Sequence, residues 1–139
     1  MKKLLIIPML FVCYMGIAQA SVIGKPIRLQ KFVVAQHDFP TMMSWDDATA
    51  ACAKLGDGWR LPTKDELNLL YENKDKIGGF KDKVDGFKDG NFWCYWSSTN
   101  YIVFEESTHW YQNFISGSGV QFETTIKESE YNVRAVRSL

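Results

Sequence analysis

The chain has 139 residues, 46% hydrophobic and 14% aromatic, with 16 basic and 16 acidic side chains that cancel formally. That length suits one hydrophobic core, and the absence of any basic block or stripe excludes nucleic acid as a partner. No low-complexity tract occurs, so a disordered chain is excluded as well.

The first twenty residues read as a secretory signal peptide. Lys2 and Lys3 form the basic start, an apolar run follows from Leu4 to about Ala18, and Ala18-Gln19-Ala20 is a small-residue cleavage signature. The run is too short for a membrane span and carries Pro8. Phe11 and Val12 stand before Cys13 where a lipid-attachment motif wants small residues, which argues against an anchor. A single domain over 21–139 is expected in the periplasm, the cell envelope or the exterior, with no membrane span after cleavage. Losing two lysines leaves it at a net charge of about −2.

Ile27 to Ala35, rich in β-branched and apolar residues, predicts an early strand closed by Asp38-Phe39-Pro40. A helix follows from Ser44, read as its N-cap, with Asp46 and Asp47 where the helix dipole favours negative charge. Its apolar stripe runs through Trp45, Ala48, Thr49, Cys52 and Leu55, and Gly56 and Gly58 end it. Cys52 and Cys94 are the only cysteines of the exported part. An even pair in an exported protein reads either as a disulfide or as two separately buried thiols.

The segment Gly58 to Asn73 starts a second helix. Thr63 and Glu66 form a T-x-x-E capping box, and Pro62 forces extended geometry on Leu61 ahead of it. Leu67, Leu70 and Tyr71 make the buried face, and Gly78-Gly79 stops the helix. "GFKD" at Gly79 to Asp82 recurs at Gly86 to Asp89, a two-copy echo that reads as a glycine-bounded loop or hairpin. Beyond it the pattern turns to short strands: Phe92 to Thr99, two strands around Gly117-Ser118-Gly119, and a last one from Glu130 to Leu139. Strand, helix, helix and then several antiparallel strands make an α+β domain.

The chemistry-bearing residues form no catalytic pattern. His37 and His109 are far apart and belong to no metal-ligand spacing, so neither a metal nor another cofactor is expected. Ser97 and Ser98 lie outside any nucleophile elbow, and nothing near Cys94 in sequence lowers a thiol pKa. The expectation is a binding protein, not an enzyme. Asn100 to Asn113 mixes aromatics, carboxylates, amides and a histidine between two strands, as carbohydrate- or protein-binding surfaces do. Tyr101, Glu105, Glu106, His109 and Tyr111 are the candidate ligand-binding residues, the first three in a connecting loop. Trp110 and Phe114 read more simply as core residues at alternating strand positions.

Four ordered stretches, "SWDDATAACAKLGDGWRLPTKDEL", "YWSST", "WYQNFISG" and "NVRAVRSL", resemble a bacterial family over roughly Phe39 to Leu139. It was once a domain of unknown function and is named after the C-terminal domain of the Legionella collagen-like protein. The resemblance implies a C-type-lectin-like fold, with N- and C-terminal strands paired and two helices flanking a small twisted antiparallel sheet. It also implies export, and adhesion or glycan binding without an agreed catalytic activity. A glycan or an envelope protein is therefore the expected partner, a purely structural or protein-interaction role the alternative, and an enzyme akin to formylglycine-generating proteins a distant third.

The motifs that carry the resemblance are structural. Arg60 and Pro62 belong to the WRLP motif, Trp96 to the WSST motif and Arg134 to the terminal strand, with Thr63 and Glu66 between them. Arg60 or Arg134 is expected to pair with a carboxylate such as Glu66, tying helix to sheet. The E-P-N, Q-P-D and W-N-D triplets of calcium-dependent lectins do not occur.

Overall fold

The computed structural model describes residues 21–83, 90–126 and 128–139. The stretch read as a signal peptide and the second "GFKD" copy lie outside the described residues. Among the described residues six strands, β1 (Ile27–Leu29), β2 (Phe32–Val34), β3 (Cys94–Val103), β4 (Glu106–Asn113), β5 (Gln121–Thr124) and β6 (Val136–Ser138), form two antiparallel sheets. Their orders are β1-β2-β6 and β3-β4-β5. The helices are α1 (Trp45–Lys54), α2 (Lys64–Glu72) and the short α3 (Lys74–Ile77), and a 3-10 turn (Gly90–Trp93) leads into β3.

The early strand is a hairpin. Gln30 takes a left-handed backbone at φ 52°, turning the chain so that Ile27 pairs with Val34 and Leu29 with Phe32. β2 then pairs with β6, Phe32 against Ser138 and Val34 against Val136, joining the two ends of the described domain. The sheet expected as one is thus two; an isolated bridge from Tyr95 to Asn132 ties β3 to the segment leading into β6, and one from Arg60 to Val136 ties the WRLP segment to β6.

Both long helices begin as their sequences dictate. Ser44 Oγ accepts from the Asp47 amide at 3.3 Å, and Thr63 and Glu66 close a full capping box. Thr49 does not join the buried stripe of α1; it is exposed and donates its hydroxyl to the Trp45 carbonyl. The second helix breaks at Asn73 (φ −107°), and α3 adds one turn before Gly78, at φ 79°, ends it.

Strand alternation divides the core. Trp96 faces Cys52, Leu61, Tyr131 and Val133 against α1, while its neighbour Tyr95 faces Leu67, Leu70, Phe114 and Val136 against α2. Each fully buried leucine contributes about 1.5–3 kcal/mol. The indole of Trp96 donates to the Met43 carbonyl at 2.8 Å, so its one polar atom is satisfied.

Arg134 is buried in the middle of this arrangement. Its Nε donates to Asp38 Oδ1 at 2.6 Å, Nη1 donates to the Ala35 and Gly78 carbonyls, and the guanidinium stacks over Phe80. Tyr95 Oη donates to Asp38 Oδ2 at 2.7 Å and accepts from the Lys81 amide. Burial raises the Tyr95 hydroxyl pKa, and the neighbouring Asp38 raises it further, so the group stays a donor.

Candidate functional site

The WSST motif anchors the base of a long hairpin. Trp96 enters the core, Ser97 Oγ donates to the Trp110 carbonyl across a bulge between Trp96 and Asn100, and the Ser97 carbonyl accepts from the Trp45 indole. The Ser98 amide donates to the Pro62 carbonyl at 2.7 Å, and Thr99 Oγ1 accepts from the Lys64 amide at 2.8 Å. The two sequence motifs stitch hairpin base to helix start. Lys64 also covers Trp110, its ammonium 3.5 Å from the ring centroid.

Beyond this base the hairpin runs outward. Asn100 to Val103 pair with His109 to Glu106, and Phe104 and Glu105 close the end at φ 49° and 68°. Two consecutive positive φ values are those of a type I′ turn, where Asn-Gly is the favoured pair and bulky residues are strained. Phe104 is 96% exposed and Ile102 76% exposed. The segment read as a connecting loop is therefore strand, turn and strand, because Tyr101-Ile102-Val103 is β-favouring and supplies a complete ladder.

Register assigns side chains to the two faces. Tyr101 pairs with Thr108 and Trp110 with Glu123, which places Tyr101, Thr108 and Glu123 together. The Tyr101 hydroxyl donates to the Glu123 carboxylate across β4, and that bond raises the phenol pKa. Tyr101, Val103, Phe104, Glu106, Glu123 and Ile126 line most of an open groove of about 540 Å³. A neighbouring depression of about 330 Å³ is bounded by Glu105, Glu106, Ser107, Thr125 and Glu128. On the opposite face Phe122 stacks on Tyr111 at 5.5 Å between centroids, and Tyr111 stacks on Tyr131 at 4.3 Å.

The five sequence-derived candidates divide between these places. Tyr101, Glu105 and Glu106 meet at the outer end of the hairpin. His109 does not reach the surface: it is 3% exposed, its ring centroid 4.1 Å from that of Trp45 and 6.4 Å from that of Trp96, which it meets edge-on. Tyr111 lies on the opposite face, between Phe122 and Tyr131. The reason is the period of two along β4, which sends His109 and Tyr111 toward α1. Phe104, Glu123 and Ile126 were missed by sequence. The apolar triplet Ile102-Val103-Phe104 before two glutamates was the available signal, legible once the segment is read as a strand entering a tight turn.

Cys52 and Cys94 are not joined; both are buried thiols. They share one apolar cluster, where thiols pack as small hydrophobes. Burial pushes the Cys52 thiol up to about 12, and Cys94 Sγ lies 3.5 Å from the Gly90 carbonyl oxygen. Among the described residues no three His, Cys, Asp or Glu side chains converge as metal ligands would, and no helix is long and apolar enough to cross a membrane.

The model of the Lcl C-terminal domain matches residues 28–137. The chain belongs to the Lcl C-terminal domain family. The match begins ahead of Phe39 and takes in the β1–β2 hairpin, whose second strand pairs with β6. Two solved structures similar to this member share its C-type-lectin-like fold. One is EMS16, an antagonist of the collagen receptor integrin α2β1, at 11% identity and a TM-score of 0.56 over 82% of this chain and 97% of that one. The other is botrocetin, at 13% identity and a TM-score of 0.55 over 84% and 98%. None of the curated proteins compared with it matches the chain.

Proposed function

We propose that this family member is an exported, non-catalytic binding module whose recognition surface is the outer end of the β3–β4 hairpin, and that its partner is a protein of the envelope or exterior. The observation that carries the reading is Phe104. A ring of that size, 96% exposed on a left-handed backbone, is unfavourable twice over in the isolated domain. Covering it with a partner would recover the apolar contribution. Exposed Val103 and Ile126 line the same groove and extend the patch, beyond what scattered surface residues require. The fold neighbour EMS16 is an antagonist of a protein receptor, which agrees with a protein partner. The thiols favour a non-catalytic role, since each is packed in the core and Cys52 is held far from ionisation at neutral pH.

A photo-crosslinking residue at position 103, which lines the groove, compared with one at exposed Lys76 on α3, tests this in exporting cells. The expected result is a discrete protein adduct from position 103 alone. Equal yields from both positions would contradict it.

A glycan partner is favoured by one observation only, the partly exposed Phe122 ring backed by Tyr111 and Tyr131 as a stacking platform. A glycan array, with and without chelator, discriminates. Binding to a neutral sugar that is lost on Phe122→Ala would move the recognition surface to that face.

A further inference from the structure

We infer that the groove at the hairpin end takes a cationic, extended polypeptide segment of the partner, in which lysine or arginine alternates with apolar side chains. This rests on the reading of the hairpin end as the recognition surface and adds the chemistry of what covers it.

The charge comes first. From Asn100 to Ile126 the sequence holds three glutamates and no lysine or arginine. All three border the two depressions, and Glu128 joins them. Lys127, next in sequence, lies outside the described residues. Glu106 borders both depressions, and Glu123 is held in place by the Tyr101 hydroxyl. A partner that covers Phe104 and Ile126 must bring its own groups near these carboxylates. Cations are attracted there, while polyanions such as nucleic acid, sulfated glycans and anionic bilayers are repelled.

Shape sets the rest. About 540 Å³ accommodates a few side chains, not a folded domain. Among the described residues β5 has β4 on one side only, which leaves its other edge for strand addition. An added strand sends alternate side chains to opposite faces, so one set enters the groove beside Glu106 and Glu123. Phe122 and Glu123 already alternate in this way along β5.

The test is selection from a display library of random decapeptides on the intact exported domain. Enriched peptides are expected to alternate Lys or Arg with apolar residues. Their affinity should fall roughly tenfold or more at high salt, and by a similar factor in the combined variant Glu105→Gln, Glu106→Gln, Glu123→Gln. These are exposed positions, and an unchanged thermal melt confirms that the variant folds. Neutral or acidic winners that need Phe104 but ignore the three glutamates overturn this inference and leave the recognition surface standing. Winners indifferent to Phe104→Asn overturn both. Heparin and phosphatidylglycerol vesicles serve as polyanion probes, and saturable binding to either at physiological salt overturns the cationic assignment.

Discussion

Arg60 and Glu66 meet fork to fork, Nη1 donating to Oε2 at 2.7 Å and Nη2 to Oε1 at 2.9 Å. The same Oε2 accepts from the Thr63 amide at 2.8 Å, so one carboxylate both caps α2 and holds the arginine. Arg60 also donates to Ser138 Oγ, and its backbone exchanges two 2.9 Å bonds with Val136. Helix start, WRLP segment and terminal strand are thus a single unit.

Replacing Glu66 tests that unit. Glu66→Gln keeps a cap acceptor but loses the charge, at about 1 kcal/mol; Glu66→Ala loses both, at about 2 kcal/mol. Burial alone would raise the Glu66 carboxyl, but hydrogen bonds from Arg60 and Thr63 outweigh it and hold the group below its ordinary value. Its stabilisation is therefore full above the unfolded-chain pKa and is lost as pH falls through the folded one. Denaturant melts across the acid range should show a shallower loss in Glu66→Gln than in wild type. Identical slopes would contradict the pairing.

Asp38 and Arg134 form the deeper pair. Arg134→Met or Asp38→Asn leaves a buried partner uncompensated and should cost about 3–5 kcal/mol, against about 1–2 kcal/mol for Tyr95→Phe. Burial raises the Asp38 carboxyl, with Arg134 and Tyr95 pulling it down. Its contribution accordingly declines as pH rises from the unfolded to the folded pKa, opposite in sign to that of Glu66. Chemical denaturation of the three variants checks the ranking, and a loss below about 1 kcal/mol for Asp38→Asn would refute the account of this pair.

The two thiols give a simple chemical readout. Cys52 and Cys94 should resist alkylation in the native protein and react fully once it is unfolded, since burial suppresses the Cys52 thiolate. Reductant should leave the melting temperature unchanged. Rapid native alkylation, or a reductant-sensitive melt, would contradict the packing described.

The sequence was most legible where local chemistry decides structure. The capping box at Thr63 and Glu66 and the cap at Ser44 depend on residues three apart, and both form. The Gln30 turn was illegible because glutamine is no turn signal; only the pairing of β1 with β2 imposes its left-handed φ. The outer hairpin hid for the same reason. Phe104-Glu105 lacks the Asn-Gly signature of its turn, so charge and aromatic content suggested a loop. His109 was misplaced because its surface or core position depends on the register of β4, which no local pattern specifies.

The Phe104-Glu105 turn offers the most direct test of the central claim. Phe104→Asn with Glu105→Gly supplies the pair that a type I′ turn favours, and should stabilise the domain by about 1 kcal/mol. If the turn retains bulky residues for recognition, the same change must weaken the partner contact. The measurement is adduct yield from the crosslinker at position 103, with and without the double substitution, alongside a thermal melt. The account predicts a higher melting temperature and a yield that falls roughly tenfold or more. An undiminished yield would contradict it.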